Sequence, residues 1–370
     1  MTRATEVRAW LGGRTYAQLL GGHVLGTVAS FLLALVAATL AIWAAGFDVA
    51  AGYQALIKGA FGSPGAVADV LARSTPLIFT GLSVALAFRA GLFNVGAEGQ
   101  LLIGAMAAVA VGLVEGIPPG LHLLLALAAA AVAGALWGAL PAFLKARFRA
   151  HEVITTIMLN YVAALLTGYL ANYTLHPPDE LLPATARVAE GAQVPRLLAG
   201  SQLSAMLFIA LGCAALFSVL LRRAVLGYEI RAVGLNARAA EAAGISQARA
   251  WVAAMALAGA AAGLGGAGEA LAVHRRFIEG FSPGFGFDGI AVALIGGASP
   301  LGAVPAAFVL GAIRSGAVAM DRTTDIPADF VVVIQGLVLV FLSVPGLLRL
   351  AVERYGRGGP AAPEPAVEPG

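Results

Sequence analysis

Asn94, Glu98 and Gln100 stand together in the stretch Gly91-Leu92-Phe93-Asn94-Val95-Gly96-Ala97-Glu98-Gly99-Gln100. Two amides and a carboxylate at that spacing form a hydrogen-bonding set whose donors and acceptors suit sugar hydroxyls or base edges. Phe93 beside them can stack on a flat ligand face. This chemistry is recognition rather than bond-making, because no nucleophile stands beside a base. Each polar residue also has a second reading. Asn94 and Gln100 can satisfy the backbone of a broken helix. Glu98 can line a path, or cap the helix that follows it, where its charge suits the positive N-terminal end. It can also lie at a cytoplasmic boundary.

The stretch separates two apolar runs, Leu77 to Ala90 and Leu101 to Val114. Each is short against the roughly 20 apolar residues that span a bilayer as a helix. A carboxylate at the bilayer centre costs on the order of 3 kcal/mol or more. Glycine-broken backbone at that depth is tolerated only where it faces protein or a water-filled cavity. Short, glycine-interrupted segments therefore point to a substrate path through a membrane bundle.

The composition agrees, with 59% hydrophobic and only 12% charged residues in a chain of 370. Soluble domains carry about 25% charged residues. The expected fold is all-α, a polytopic transmembrane helical bundle of about ten membrane segments with inverted repeats and broken half-helices. Apolar runs place these segments near 24–46, 76–90, 99–114, 120–144, 152–174, 201–221, 251–271, 285–297, 302–320 and 328–350. Residues 1–355 form the membrane domain, with a cytoplasmic loop at about 222–250. The tail 356–370, rich in Pro, Gly, Ala and Glu, is expected to be disordered. The loop 48–75 has room for short interfacial helices. The first run is longer than the apolar core of a signal peptide and reads as an uncleaved helix.

Several functions are excluded. The single cysteine, Cys213, lies in an apolar run and offers neither a disulfide nor a thiolate metal site. The five histidines lack ligand spacing. His151-Glu152 has no second histidine at helical spacing, and no phosphate-cradling glycine loop is present. The net charge of +3 is small and, without a clustered basic face, does not indicate nucleic acid.

Basic residues set the orientation. Arg3, Arg8 and Arg14 precede the first run, Lys145, Arg147 and Arg149 follow the fourth, and Arg222, Arg223, Arg231, Arg238 and Arg249 follow the sixth. Arg349, Arg354 and Arg357 follow the last. All fall on one side if every run crosses, which places both termini in the cytoplasm. Arg275 and Arg276 cut against the pattern, and the short eighth run reads as re-entrant. A weak internal repeat links Phe93–Gly104 to Phe285–Gly296: both place an acidic residue and glycines at the start of a short apolar helix. Such repeats bring two half-helices together near the midplane.

Three further regions hold candidates. Asp288 opens the second repeat, as a path residue or as an N-cap. Asn160 lies about two turns into the fifth run, facing either ligand or a neighbouring helix. The basic loop is predicted to hold a short helix starting at Asn236, a good N-cap, with Arg238 and Glu241 able to pair three residues apart. An Ala-rich helix with a glycine stop suits docking of a cytoplasmic partner.

Glu241-Ala242-Ala243-Gly244, with Arg231-Ala232-Val233-Gly234-Leu235-Asn236, resembles the coupling loop of ABC importer permeases in the branched-chain amino acid and simple-sugar superfamily. Phe93 to Gln100, Glu152 to Tyr161 and Phe287 to Leu294 resemble its nucleoside and simple-sugar branch. The resemblance implies a bacterial inner-membrane permease for nucleosides or purines. Its partners would be a cytoplasmic ATPase that holds ATP and Mg, a second related permease, and an extracytoplasmic substrate-binding lipoprotein, with membrane lipid around the bundle. This chain itself would hold no cofactor and perform no catalysis. The resemblance assigns Arg231, Gly234, Asn236, Arg238, Glu241 and Gly244 to ATPase coupling, and Phe93, Asn94, Glu98, Gln100, Asn160 and Asp288 to the substrate path. The alternatives are a pentose or hexose permease, one for branched-chain amino acids, and a proton-coupled secondary transporter using Glu98 or Glu269.

Overall fold

The computed structural model describes residues 35–178, 180–324, 326, 327, 330, 333 and 336. The arginines before the first run, the tail 356–370 and nearly all of the run 328–350 lie outside the described residues. Ala50–Ala328 form one compact unit, and the two ends of the chain form another. In the terminal unit the described part of the first run is a short apolar helix, α1 (Leu35–Ala44).

The main unit is helical throughout its regular structure. Its elements are α2 (Val49–Phe61), α3 (Pro64–Arg89), α4 (Ala97–Gly112), α5 (Leu121–Phe148), α6 (Glu152–Tyr169), α7 (Met206–Arg223), α8 (Val225–Leu235), α9 (Ala237–Ala242), α10 (Gln247–Gly268), α11 (Phe285–Ile295) and α12 (Pro300–Thr323). Two helices end in a π turn, Leu170–Thr174 after α6 and Glu269–Val273 after α10. With these turns included, 6 helices among the described residues are long and apolar enough to cross a membrane. Helices α4 and α11 are shorter.

The helix expected over 76–90 begins at Pro64 instead. Asp69, Arg73, Ser74 and Thr75 interrupt the hydropathy but not the helix. The Ser74 hydroxyl donates to the Val70 carbonyl at 2.7 Å, and that of Thr75 donates to Leu71 at 2.9 Å. Polar side chains satisfied by their own helix remain compatible with a buried helical core. So one of the two runs flanking the broken stretch is a full-length span, while α4 is short as expected.

Helices α3 and α10 form the centre of the unit and are the most enclosed of its long spans. Close backbone approach holds α10 against α5. Gly259 and Gly263 on α10 lie against Gly134 and Gly138 on α5, and a Cβ at any of the four would run into the facing backbone. Membrane helices gain no hydrophobic driving force against lipid, so small residues that allow such approach carry their association. Helix α6 is the opposite case: Tyr161, Leu165 and Tyr169 are exposed along it.

The segment 175–205 folds back over the chain after α10. The Glu279 amide donates to the Pro183 carbonyl at 2.8 Å, Thr185 donates to Phe277 at 2.9 Å, and Arg276 pairs with Glu180 at 2.8 Å. The segment after α10 is thereby tied to a long cap.

Candidate functional site

The two repeat segments meet. A Glu98 carboxylate oxygen accepts the Gly286 backbone N–H at 2.6 Å, joining the first turn of α4 to the first turn of α11. A Cβ at Gly286 would collide with the backbone of Ala97 and Glu98, so the helix starts abut at van der Waals contact. Helix α11 is 11 residues long, about 16 Å at 1.5 Å per residue. That is half of a roughly 30 Å hydrocarbon core. At its far end the Ala298 carbonyl accepts from Arg89 Nε at 2.7 Å, beside the end of α3. Helix α11 by itself therefore spans only about half of a hydrocarbon core, and it runs from the junction with Glu98 toward the end of α3.

A cavity of about 540 Å³ lies beside this junction. Its wall comprises Val95, Glu98 and Leu102 from the α4 region, Ile157, Asn160, Tyr161, Ala164 and Thr167 from α6, and Phe277, Glu279, Gly280, Ser282 and Phe287 from the segment leading into α11. Aromatic faces and a few convergent polar groups are the usual make-up of a small-molecule site.

Of the residues named from sequence, Glu98 and Asn160 line the cavity. Asn160 also fastens the broken stretch: its Oδ1 accepts the Gly99 N–H at 2.8 Å, and its Nδ2 donates to the Val95 carbonyl at 2.9 Å. Asn94 and Gln100 lie behind the wall, fully buried. Their amides pair reciprocally, each donating to the other's oxygen at 3.0 Å. Asn94 also donates to Ser83 Oγ at 3.0 Å and accepts from the Gly96 N–H at 3.1 Å. Phe93 packs its ring 5.2 Å from that of Phe88 and does not line the cavity. Asp288 forms an ion pair with Arg314 of α12, whose guanidinium also lies 5.3 Å from the Phe285 ring.

Sequence reasoning missed Arg314, Glu279 and Ser282. A single arginine within the apolar run of α12 was the available signal, since a lone intramembrane cation calls for a lone acidic partner. Glu279 and Ser282 carried no signal, because only the fold returns their loop to the cavity.

The basic element at 222–250 forms as its capping residues predict. Asn236 Oδ1 accepts the Ala239 N–H at 3.1 Å and starts α9, and Gly244 ends it at φ +82. Glu241 bonds Gln247 Nε2 at 2.8 Å rather than Arg238, which is exposed. Val233, Ala240 and Ala250 make a small core that joins α8, α9 and α10. Arg231 lies along α8, its Nε 3.4 Å from the Gly227 carbonyl. Gly234 lies directly against the Arg89 carbonyl and Gly91, where a Cβ would clash. Gly91, at φ +71, opens the turn that leads to Glu98. The basic element thus touches the end of α3, a short loop away from the half-helix junction.

Residues 66–343 match the family described as branched-chain amino acid transport system / permease component. The chain is 38% identical over 343 residues to the guanosine ABC transporter permease protein NupP of Bacillus subtilis, covering 91% of this chain and 98% of that one. It is 33% identical over 350 residues to the glucose ABC transporter permease protein TsgB13 of Haloferax volcanii, covering 90% and 92%. It is 33% identical over 319 residues to the nucleoside ABC transporter permease protein NupB of Lactococcus lactis, covering 84% and 87%. No solved structure gives a significant match. With the paired half-helices, the adjoining cavity and a family match over most of its length, this chain belongs to the branched-chain amino acid transport system permease family.

Proposed function

We propose that this chain is the permease subunit of a bacterial ABC importer that moves nucleosides or purines across the cytoplasmic membrane, with both termini in the cytoplasm. The observation that carries the reading is the meeting of two half-helix starts, at Glu98 and Gly286, on the wall of a cavity of about 540 Å³. Half-helices that begin inside a bundle turn backbone donors toward bound ligand. Tyr161, Phe277 and Phe287 offer faces on which a base can stack. The nucleoside and guanosine relatives favour this substrate class.

A separate cytoplasmic ATPase binds ATP and Mg and supplies the energy. Arg231, Gly234, Asn236, Arg238, Glu241 and Gly244 belong to the element that meets it, with Arg238, Glu241 and Gly244 on its exposed side and Gly234 turned toward α3. Contact of Gly234 with Gly91 supports a short mechanical route from that element to the α4 start. A second, related permease completes the path, an extracytoplasmic binding lipoprotein delivers substrate, and lipid covers the remaining apolar surface. In the path, Glu98 and Asn160 face substrate. Asn94, Gln100 and Asp288 hold the walls in place, and Phe93 borders them.

The test is uptake into proteoliposomes that contain this chain, its second permease and the ATPase, with the binding protein added. ATP-dependent accumulation of a labelled nucleoside is expected. Accumulation by this chain alone under a proton gradient would overturn the reading. The glucose relative favours a second substrate class, so the same vesicles should be offered a hexose; uptake of the hexose in place of the nucleoside would select it.

A further inference from the structure

We propose that the cavity is a charge filter, which admits neutral ligands rich in N–H and O–H donors and turns back anions, with Glu279 as its specificity-determining residue. The inference rests on the transport reading above and concerns which molecules the path accepts.

The lining residues carry two carboxylates, Glu98 and Glu279, and no Lys, Arg or His. Two arginines of the adjoining segments have carboxylate partners outside the lining: Arg314 pairs with Asp288 and Arg276 with Glu180. Of the other polar side chains, Asn160 and Thr167 are already committed and Ser282 Oγ accepts the Gly284 and Phe285 N–H groups, which leaves the Tyr161 hydroxyl beside the carboxylates. Asn160 bonds Gly99 and Val95, and the Thr167 hydroxyl donates to the Ala163 carbonyl at 2.8 Å. Carboxylate oxygens are therefore the main groups left to address a ligand, and they accept hydrogen bonds without donating any. A low-dielectric cleft lined by one sign of charge concentrates its field on whatever enters. A nucleoside presents hydroxyls and ring or amino N–H groups to such a wall. A 5′-phosphorylated nucleoside presents a dianion.

The two carboxylates differ in what neutralises them. Glu98 takes the Gly286 N–H at the point where two helix starts converge, so positive helix ends answer its charge. Glu279 is exposed in the segment between α10 and α11. Its one side-chain partner among the described residues is neutral, the Asn172 amide at 2.5 Å, which orients the carboxylate without cancelling it. Asn172 belongs to the π turn that ends α6, and the Glu279 backbone is tied to Pro183. The uncompensated charge thus sits at the cap end of the cavity, where a ligand arriving from the cap side meets it first.

The test reads the field directly. In the assembled complex carrying Cys213→Ser and Ser282→Cys, modification rates are measured with a cationic and an anionic methanethiosulfonate reagent of equal size. Each rate is normalised to that of a free thiol. The cationic reagent should react at least about tenfold faster, the lower end of electrostatic rate effects in charged clefts. Glu279→Gln should remove most of that preference, and Glu98→Gln should change it less. Thr167→Cys provides a second reporter, on α6. A normalised ratio within about twofold of unity at both reporters, or a preference untouched by Glu279→Gln, would overturn the filter. Nucleoside uptake by the complex carrying Cys213→Ser alone separates the two ideas: uptake without a cation preference at the reporters removes the filter alone, and a cation preference without uptake removes the transport reading alone.

Discussion

Helices α4 and α11 solve the same problem with different chemistry. Both begin inside protein, where the first N–H groups of a helix have no intrahelical partner and no bulk water. At the α4 start the answer is neutral. Asn94, Gln100, Ser83 and Asn160 close a network of amide and hydroxyl bonds around the Gly96 and Gly99 N–H groups. At the α11 start the answer is ionic. Glu98 takes the Gly286 N–H, Asp288 pairs with Arg314, and only the Ser282 hydroxyl, 3.2 Å from the Phe285 N–H, is neutral. The difference separates a scaffold from a working surface. Neutral bonds satisfied among themselves can be sealed away, as Asn94 and Gln100 are. Charges retain a field that extends into the cavity, and they sit where Glu98 forms its wall.

The comparison is broken most severely at the ionic end. Arg314→Ala leaves Asp288 without its cation and should destabilise the assembled complex by on the order of 3 kcal/mol, read as a lower midpoint of thermal unfolding in detergent. Replacing both partners by Met and Leu should recover most of that loss. A single variant that melts like the wild type would show that the pair does not hold α11.

At the neutral end, Asn160→Ala strands the Gly99 N–H and the Val95 carbonyl and should cost about 2 kcal/mol. Because Asn160 also lines the cavity, uptake should fall further than stability alone requires. Asn94→Ala and Gln100→Ala, made singly and together, sharpen the claim that these amides work as one unit. Their double-mutant cycle should give a coupling of about 1 kcal/mol, and strictly additive losses would dissolve the network. The smallest effect on stability belongs to Glu98→Gln, about 0.5–1 kcal/mol. The amide oxygen still accepts from Gly286, so nucleoside transport should change more than the melting midpoint. A large fall in the midpoint would mean that the charge itself joins the two helices.

Much of this arrangement is legible in residue order. The glycine-broken stretch after Ala90, the repeat of Phe93–Gly104 in Phe285–Gly296, and the Asn236 and Gly244 boundaries of α9 all appear in the structure. Each depends on residues within a turn or two of one another. The start of α3 was misread for the complementary reason. Hydropathy falls at Arg73, Ser74 and Thr75, yet the two hydroxyls bond their own helix and let it continue.

What the sequence determined by itself is the class of molecule and the places where its helices stop. Low charge and long apolar runs require a membrane bundle, and glycine and capping residues end helices through local geometry. What the tertiary structure decided is which polar groups meet the cavity. Asn94 and Gln100 turn inward because each finds the other and Ser83 across the turn. Glu279 and Ser282 reach the wall because a segment far along the chain is bonded to Pro183 and Thr185. A side chain's orientation inside a bundle follows from partners on other helices, and only the folded chain brings those partners within hydrogen-bonding distance.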